Sequence, residues 1–188
     1  MNNMHKKELR SKLKFIRDSL SPECVHGYSS CIGQRVITLD EVIRAASCFV
    51  YVATGSEVQT TSLITALLTL QKEVYVPLMV GKKTMTPCRI TGLQDLTQGL
   101  YGFLEPLGKI PSAATQDICI LPGIGFSEQG ARLGSGAGCY DKYLATRHPF
   151  IVGLAYECQI LPNIPQEPHD KPVHVIVTEQ RVIRTGGV

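Results

Sequence analysis

The amino-acid sequence predicts an α/β fold, a three-layer sandwich with a largely parallel central sheet and helices on both faces. Three observations carry that expectation. Short β-branched and apolar runs alternate along the chain with stretches of helical periodicity, the pattern of a sheet joined by helical crossovers. The runs are mostly apolar from end to end, as strands covered on both faces are. With 188 residues, 44% hydrophobic and 19% charged, the composition is ordinary for a globular protein. The length suits a single domain over 1–188 whose core needs no disulfide or metal staple.

The elements follow in order. In KKELRSKLKFIRDSL, Leu9, Leu13, Ile16 and Leu20 form one apolar stripe at helical spacing. At about 100° per residue, Lys6, Arg10, Lys14 and Arg17 form a basic stripe beside it and not opposite it. Charges bordering a core face can look into a cleft. Ser21-Pro22-Glu23 starts a second helix with an N-cap, a first-turn proline and an early acid. SCFVYVA then reads as a strand, TTSLITALLTLQ as a helix, EVYVPLM as a strand and MTPCRI as a short strand. DICILP, FIVGLAY and VHVIVTE are further strands, with the helix YDKYLATR between the first two. The glycine- and proline-rich region from Gly92 to Ala114 reads as a long loop, a length that in compact domains usually serves function. Its Tyr101 and Phe103 are candidates for stacking on a flat ligand ring or for anchoring the loop to the core.

Several function classes fall away. No apolar run is long enough to span a bilayer, and MNNMHKKELR lacks the apolar stretch of a secretion signal. A soluble cytoplasmic protein is expected. The seven cysteines include no CxxC pair, so neither a disulfide framework nor a zinc site is indicated. Cys48 and Cys119, inside strand runs, are expected to be buried thiols. Six of the nineteen basic residues fall between Lys6 and Arg17. That cluster would suit a nucleic-acid arm, a phosphate site or a solvated helix face, but the remaining charge is nearly balanced, with a net +3 overall.

The stretch RLGSGAGCYD, residues 132–141, is the most informative. It contains neither GxxxxGK[ST] nor GxGxxG, because Cys139 stands where the last glycine would be. Its glycines nevertheless allow close backbone approach and positive φ. Successive N–H groups can then form an anion-binding nest, with a helix start just beyond. Arg132 supplies a fixed positive charge and Asp141 an oxygen ligand for magnesium.

The chain resembles the 5-formyltetrahydrofolate cyclo-ligases, also called 5,10-methenyltetrahydrofolate synthetases. The resemblance is strongest in LPGIGFSEQGARLGSGAGCYDKYL, similar to the family's PG-x-x-F-D-x-x-G-x-R-L-G-x-G-x-G-Y-Y-D. KKELR with the later Arg17, SEVQTTSLI, VPLMVGKKTM, GFLEP and HDKPVHVIVTE match in the same order, so nearly the whole chain is covered. The resemblance implies closure of 5-formyltetrahydrofolate to 5,10-methenyltetrahydrofolate with ATP and Mg2+. The formyl oxygen attacks the γ-phosphate, then N10 attacks the activated carbon and phosphate leaves. Such chemistry depends on positioning and charge stabilisation more than on a protein nucleophile.

The resemblance also implies residue roles. Lys6, Lys7, Glu8, Leu9 and Arg10 match the N-terminal ATP-binding block, with Lys6 and Arg10 its phosphate cations. Arg132, Leu133, Gly134, Ser135, Gly136, Ala137, Gly138, Cys139 and Tyr140 match the ATP-cradling loop. Arg132 is the catalytic residue expected to stabilise the transferring phosphoryl group. Ser135 through Cys139 would also meet the folate, together with Val52 and the acid Glu57. Asp141 and Asp170 match the magnesium positions, which leaves His169 and His174 without a metal role. A monomer acting on small molecules is expected, with neither nucleic acid nor membrane as partner.

Departures from the pattern are also present. Cys139 replaces a tyrosine, Ser127 an aspartate, and Ser135 and Ala137 are small and uncharged. They bear on affinity or specificity more than on reaction class. A folate- or nucleotide-binding regulator that has lost catalysis is the alternative they motivate.

Overall fold

The computed structural model describes residues 6–81, 83–99, 104–106, 108, 110–167 and 170–186. Helices α1 (Lys6–Asp18), α2 (Pro22–Ile37) and α3 (Asp40–Arg44) precede β1 (Ser47–Val50), α4 (Thr61–Thr69), β2 (Glu73–Gly81) and β3 (Thr84–Ile90). Short strands β4 (Thr97–Gln98) and β5 (Leu104–Glu105) lead to β6 (Ile118–Pro122), β7 (Gly125–Ser127) and β8 (Arg132–Leu133). Then come α5 (Cys139–Leu144), β9 (Phe150–Leu154), β10 (Ile160–Leu161), β11 (Val175–Val177) and β12 (Val182–Arg184).

The main sheet has seven strands in the order β12-β11-β9-β6-β1-β2-β3. Its inner pairs β11–β9, β9–β6, β6–β1 and β1–β2 are parallel, whereas the edges β12 and β3 are antiparallel to their neighbours. All of β1 is buried, as an apolar run with helices on both sides must be. Because side chains alternate along a strand, Cys48 and Val50 join one core while Phe49 joins another. In the first core, Ile32 and Val36 of α2, Val42 of α3 and Leu63, Ile64 and Leu67 of α4 pack on the sheet. Each such fully buried aliphatic contributes about 1.5–3 kcal/mol. Tyr143 and Leu144 of α5, joined by Phe126 of β7, cover the opposite face. The expected layers are therefore present, one built mainly by α2 and α4 and the other by the short α5.

Local chemistry places the ends of these elements. Ser21 caps α2 by accepting the Cys24 N–H, and Pro22 opens the helix. The Cys48 thiol is buried and pushed up to about 12, and burial raises that of Cys119 further still. MTPCRI is most of β3, a full edge strand paired along β2. The Gly92–Ala114 region has more structure than a loop. Leu93–Asp95 form a 3-10 turn, β4 pairs with β5, and Pro111 bridges to Cys88. Tyr101 and Phe103 lie outside the described residues.

A third apolar cluster joins Leu9 and Leu13 of α1 to Ile124, Ala131, Leu133 and Ile164. It seats α1 against a small sheet, β10-β7-β8, beyond the carboxyl end of β6. Among the described residues no helix is long and apolar enough to cross a membrane.

Candidate active site

The central strands β1 and β6 are neighbours, but the chain leaves them toward opposite faces, through α4 and toward α5 respectively. In open α/β sheets such a switch point leaves a crevice outside the strand ends. Here a cleft of about 450 Å³ is lined by Tyr51 and Val52 just beyond β1, and by Pro122, Gly123 and Ile124 at the end of β6. The size suits a small-molecule site.

The cleft collects most of the residues singled out in the sequence. Lys6, Arg10, Val52, Glu57, Asp141, Asp170 and every residue from Arg132 to Tyr140 line it. Lys7, Glu8 and Leu9 do not: the helical turn points them elsewhere, with Lys7 and Glu8 exposed and Leu9 buried in the α1 cluster. The basic stripe likewise divides. Lys14 is exposed, and Arg17 is buried without lining the cleft.

Two of the cations in the cleft, Lys6 and Arg132, face carboxylates. Lys6 Nζ donates to Glu167 Oε1 at 2.9 Å and to Asp170 Oδ2 at 2.8 Å. Burial works to lower the Lys6 pKa, but these two hydrogen bonds and charges outweigh it and raise it. Arg10 Nε donates to the Gly134 carbonyl at 2.8 Å, fixing the start of the glycine loop. Arg132 is nearly enclosed, its side chain 5% exposed. Its Nη2 reaches Asp141 Oδ1 at 2.8 Å and its guanidinium lies 5.6 Å from the centre of the Tyr140 ring. Arg132 Nε is buried and has no hydrogen-bond partner among the described residues, an unusual state for a charged donor. Burial, with the charge of Glu57 adding, raises the Tyr140 phenol well above 10 and keeps it neutral.

Gly136 and Gly138 have φ of +101° and +70°, the left-handed backbone that glycine permits without strain. From Ser135 to Asp141 no backbone N–H donates to a partner among the described residues. Glu57 is held differently. Its Oε2 accepts from the Thr54 N–H at 3.0 Å and the Thr54 hydroxyl at 3.3 Å, while its carbonyl accepts from the Tyr156 hydroxyl at 3.1 Å.

Several lining residues were not singled out in the sequence. Pro77 and Met79 of β2, Met85 of β3 and Leu104 and Glu105 of β5 form a largely apolar wall. VPLMVGKKTM and GFLEP marked those segments, but only the sheet order brings them to the end of β1. Of the sequence departures, Cys139 lines the cleft, whereas Ser127 does not. Ser127 is buried in the β7–β8 turn, its Oγ accepting the Ala131 N–H at 3.2 Å. Its hydroxyl serves the turn. His174 accepts the Ile151 N–H through Nδ1 at 2.9 Å and stacks on Phe150; His169 lies outside the described residues.

Among the described residues no three His, Cys, Asp or Glu side chains gather as a ready metal site. Asp141 and Asp170 do offer hard oxygen donors on the same cleft. That fits Mg2+, which commonly takes one or two carboxylates and completes its shell with phosphate oxygens and water.

Comparison with known proteins agrees with this architecture. The family profile described as "5-formyltetrahydrofolate cyclo-ligase family" matches residues 2–179. A 5-formyltetrahydrofolate cyclo-ligase of Haemophilus influenzae is 30% identical, covering 94% of this chain and 99% of its own. A probable 5-formyltetrahydrofolate cyclo-ligase of Caenorhabditis elegans is 29% identical, over 95% and 94% of the two chains. Among solved structures, the Aquifex aeolicus 5,10-methenyltetrahydrofolate synthetase superposes with a TM-score of 0.85 at 30% identity, covering 98% and 95%. The chain belongs to the 5-formyltetrahydrofolate cyclo-ligase family.

Proposed function

We propose that this family member closes 5-formyltetrahydrofolate to 5,10-methenyltetrahydrofolate in a reaction driven by ATP and Mg2+. The observation that carries the reading is the pairing of an enclosed Arg132 with a stretch of N–H groups from Ser135 to Asp141 on the same cleft, where among the described residues neither the Arg132 Nε nor those N–H groups have a hydrogen-bond partner. Enclosed cationic donors beside free amides suit a phosphoryl group gaining charge in transit.

The steps follow from the substrate's chemistry. The formyl oxygen forms a bond to the γ-phosphorus as the bond to ADP breaks. The oxygen, formerly a poor leaving group, now departs as phosphate when N10 attacks the formyl carbon, and N10 gives up its proton. Lys6 and Arg10 hold the phosphate chain, Arg132 stabilises the transferring group, and the glycine-loop amides cradle it. Glu57, its Oε2 fixed by Thr54, presents its other carboxylate oxygen to donors on the pterin ring, beside Val52 and Cys139. Asp141 and Asp170 would hold Mg2+, which supplies charge neutralisation on the phosphates. Lys6 and Arg132 now face those two carboxylates and turn to the phosphates when nucleotide and metal enter together. We assign the protein to the cytoplasm as a single-domain monomer.

The direct test mixes purified protein with 5-formyltetrahydrofolate, ATP and Mg2+ and follows the near-ultraviolet absorbance of the methenyl product. A rise that requires both nucleotide and metal is expected. A flat trace from folded protein would overturn the reading and favour a binding-only role.

A further inference from the structure

Helix α1 buries Leu9, Leu13 and Arg17 along one stripe, so a guanidinium occupies a place where an aliphatic side chain would serve packing alone. The Arg17 side chain is 8% exposed. Its Nε donates to Ser56 Oγ at 3.0 Å and lies 3.7 Å from Asp18 Oδ1, and Nη1 is buried without a partner among the described residues. The Ser56 hydroxyl donates in turn to Asp18 Oδ1. Burying a charge this way is costly, and its best-satisfied contact is with a loop serine.

Ser56 sits directly before Glu57. Glu57 lines the cleft, whereas Ser56, Arg17 and Asp18 do not. The far side of the loop has its own anchors: the Val58 carbonyl accepts from Tyr51, the Glu57 carbonyl from Tyr156, and the Gln59 N–H donates to Ser29 Oγ. For Thr54 to Ser56, the Ser56 hydroxyl makes the only hydrogen bonds to an element outside the loop among the described residues.

We propose that Arg17 and Asp18 are positioning residues for Glu57, acting through the Ser56 hydroxyl. The same helix carries Lys6 and Arg10, about 10–16 Å along its axis from Arg17 at 1.5 Å per residue. One rigid helix therefore sets the spacing between the cations at the phosphate end and the carboxylate at the folate end. The proposal rests on the reading of Glu57 as a folate-binding acid.

Ser56→Ala removes the clamp and leaves every cleft-lining side chain in place. The KM for 5-formyltetrahydrofolate rises about tenfold, as loss of a hydrogen bond to a charged group implies. The KM for ATP stays within about twofold, since the phosphate end lies at a distance. Ser56→Thr, which restores the hydroxyl, recovers the folate KM. Arg17→Met keeps the packed stem and reports the same split should Ser56→Ala fail to fold. An unchanged folate KM, or parallel increases in both KM values with a lowered thermal midpoint, would overturn the clamp while leaving the enzyme reading intact. A wild-type protein that forms no methenyl product would instead overturn the enzyme reading and the clamp with it.

Discussion

Two loops line the cleft, one leaving β1 of the main sheet and the other leaving β8 of the small sheet, and they treat their backbones differently. The loop from Tyr51 to Thr60 is closed by its own protein. Thr60 Oγ1 donates to the Tyr51 carbonyl and accepts the Ala53 N–H, Ser29 accepts from Gln59, and Tyr51 and Tyr156 donate to the Val58 and Glu57 carbonyls. The loop from Leu133 to Asp141 is tied at its first glycine by Arg10 and at its last residue by Arg132. Between them the N–H groups make no hydrogen bonds among the described residues. Buried polar groups need partners, and the bonds that fix the first loop all run to its own protein. The second lies partly exposed to water, and in the proposed reading an anion meets its N–H groups. Substitutions at the buried backbone anchors of the first loop, such as Thr60, should accordingly be felt as stability, and those in the second loop as catalysis or nucleotide affinity.

The largest effect on that contrast comes from Arg132→Ala. In the proposed reading the enclosed guanidinium faces the transferring phosphoryl group, so its removal should lower turnover by about three orders of magnitude, on the scale of cations that stabilise phosphoryl transfer. Single-turnover formation of the methenyl product measures it, with circular dichroism as the folding control. Arg132→Lys should recover little, because a point ammonium cannot reproduce the planar, multi-donor guanidinium that the proposed phosphoryl contact uses. Near-normal turnover in Arg132→Ala would remove the assigned role.

Thr60→Val has a smaller effect of the opposite kind. The hydroxyl is fully buried and serves two backbone groups at 2.8 and 3.1 Å. Valine keeps the shape and leaves both groups unsatisfied, at a cost of about 1–3 kcal/mol. For a chain of this size that lowers the thermal midpoint by about 2–12 °C. The ATP KM should not move. A shift in that KM with an unchanged midpoint would reverse the comparison.

These contrasts were only partly readable in the sequence. The strand–helix alternation gives the parallel core because both strand and crossover are local patterns, and the glycine loop announces itself by its spacing. Ser21-Pro22 marks the start of α2 for the same reason, since a cap and its helix lie within one turn. The small sheet β10-β7-β8 was missed: its strands are two or three residues long and owe their existence to packing against α1. Arg17 looked like one more member of a basic stripe, and only the long-range meeting of α1 with Ser56 separates it from Lys6 and Arg10. Ser127, standing where the family pattern has aspartate, reads from sequence as a change bearing on affinity or specificity. The chain in fact turns there, and its hydroxyl closes that turn. The apolar wall from Met79 and Met85 follows from sheet order, which no local pattern in those strands reveals.

Gly136→Ala tests the glycine loop most narrowly. A Cβ at this position would meet the Arg10 guanidinium at 3.7 Å, an ordinary contact, so space is not the obstacle. The obstacle is φ of +101°, which an L side chain adopts only under strain of about 1–2 kcal/mol. To escape it the backbone must rotate, and the neighbouring amides then turn away from the positions they hold beside Arg10 and Arg132. The expected result is an ATP KM raised about tenfold, the equivalent of 1.4 kcal/mol, with the folate KM little altered. Gly27→Ala in α2 is the matched control. It has an ordinary φ and open space around its Cβ, so alanine there should stabilise the helix by about 0.5–1 kcal/mol and leave both KM values alone. If Gly136→Ala behaved like Gly27→Ala, the loop's backbone geometry would not be what the nucleotide reads. The cations alone would then have to account for the binding of its phosphates.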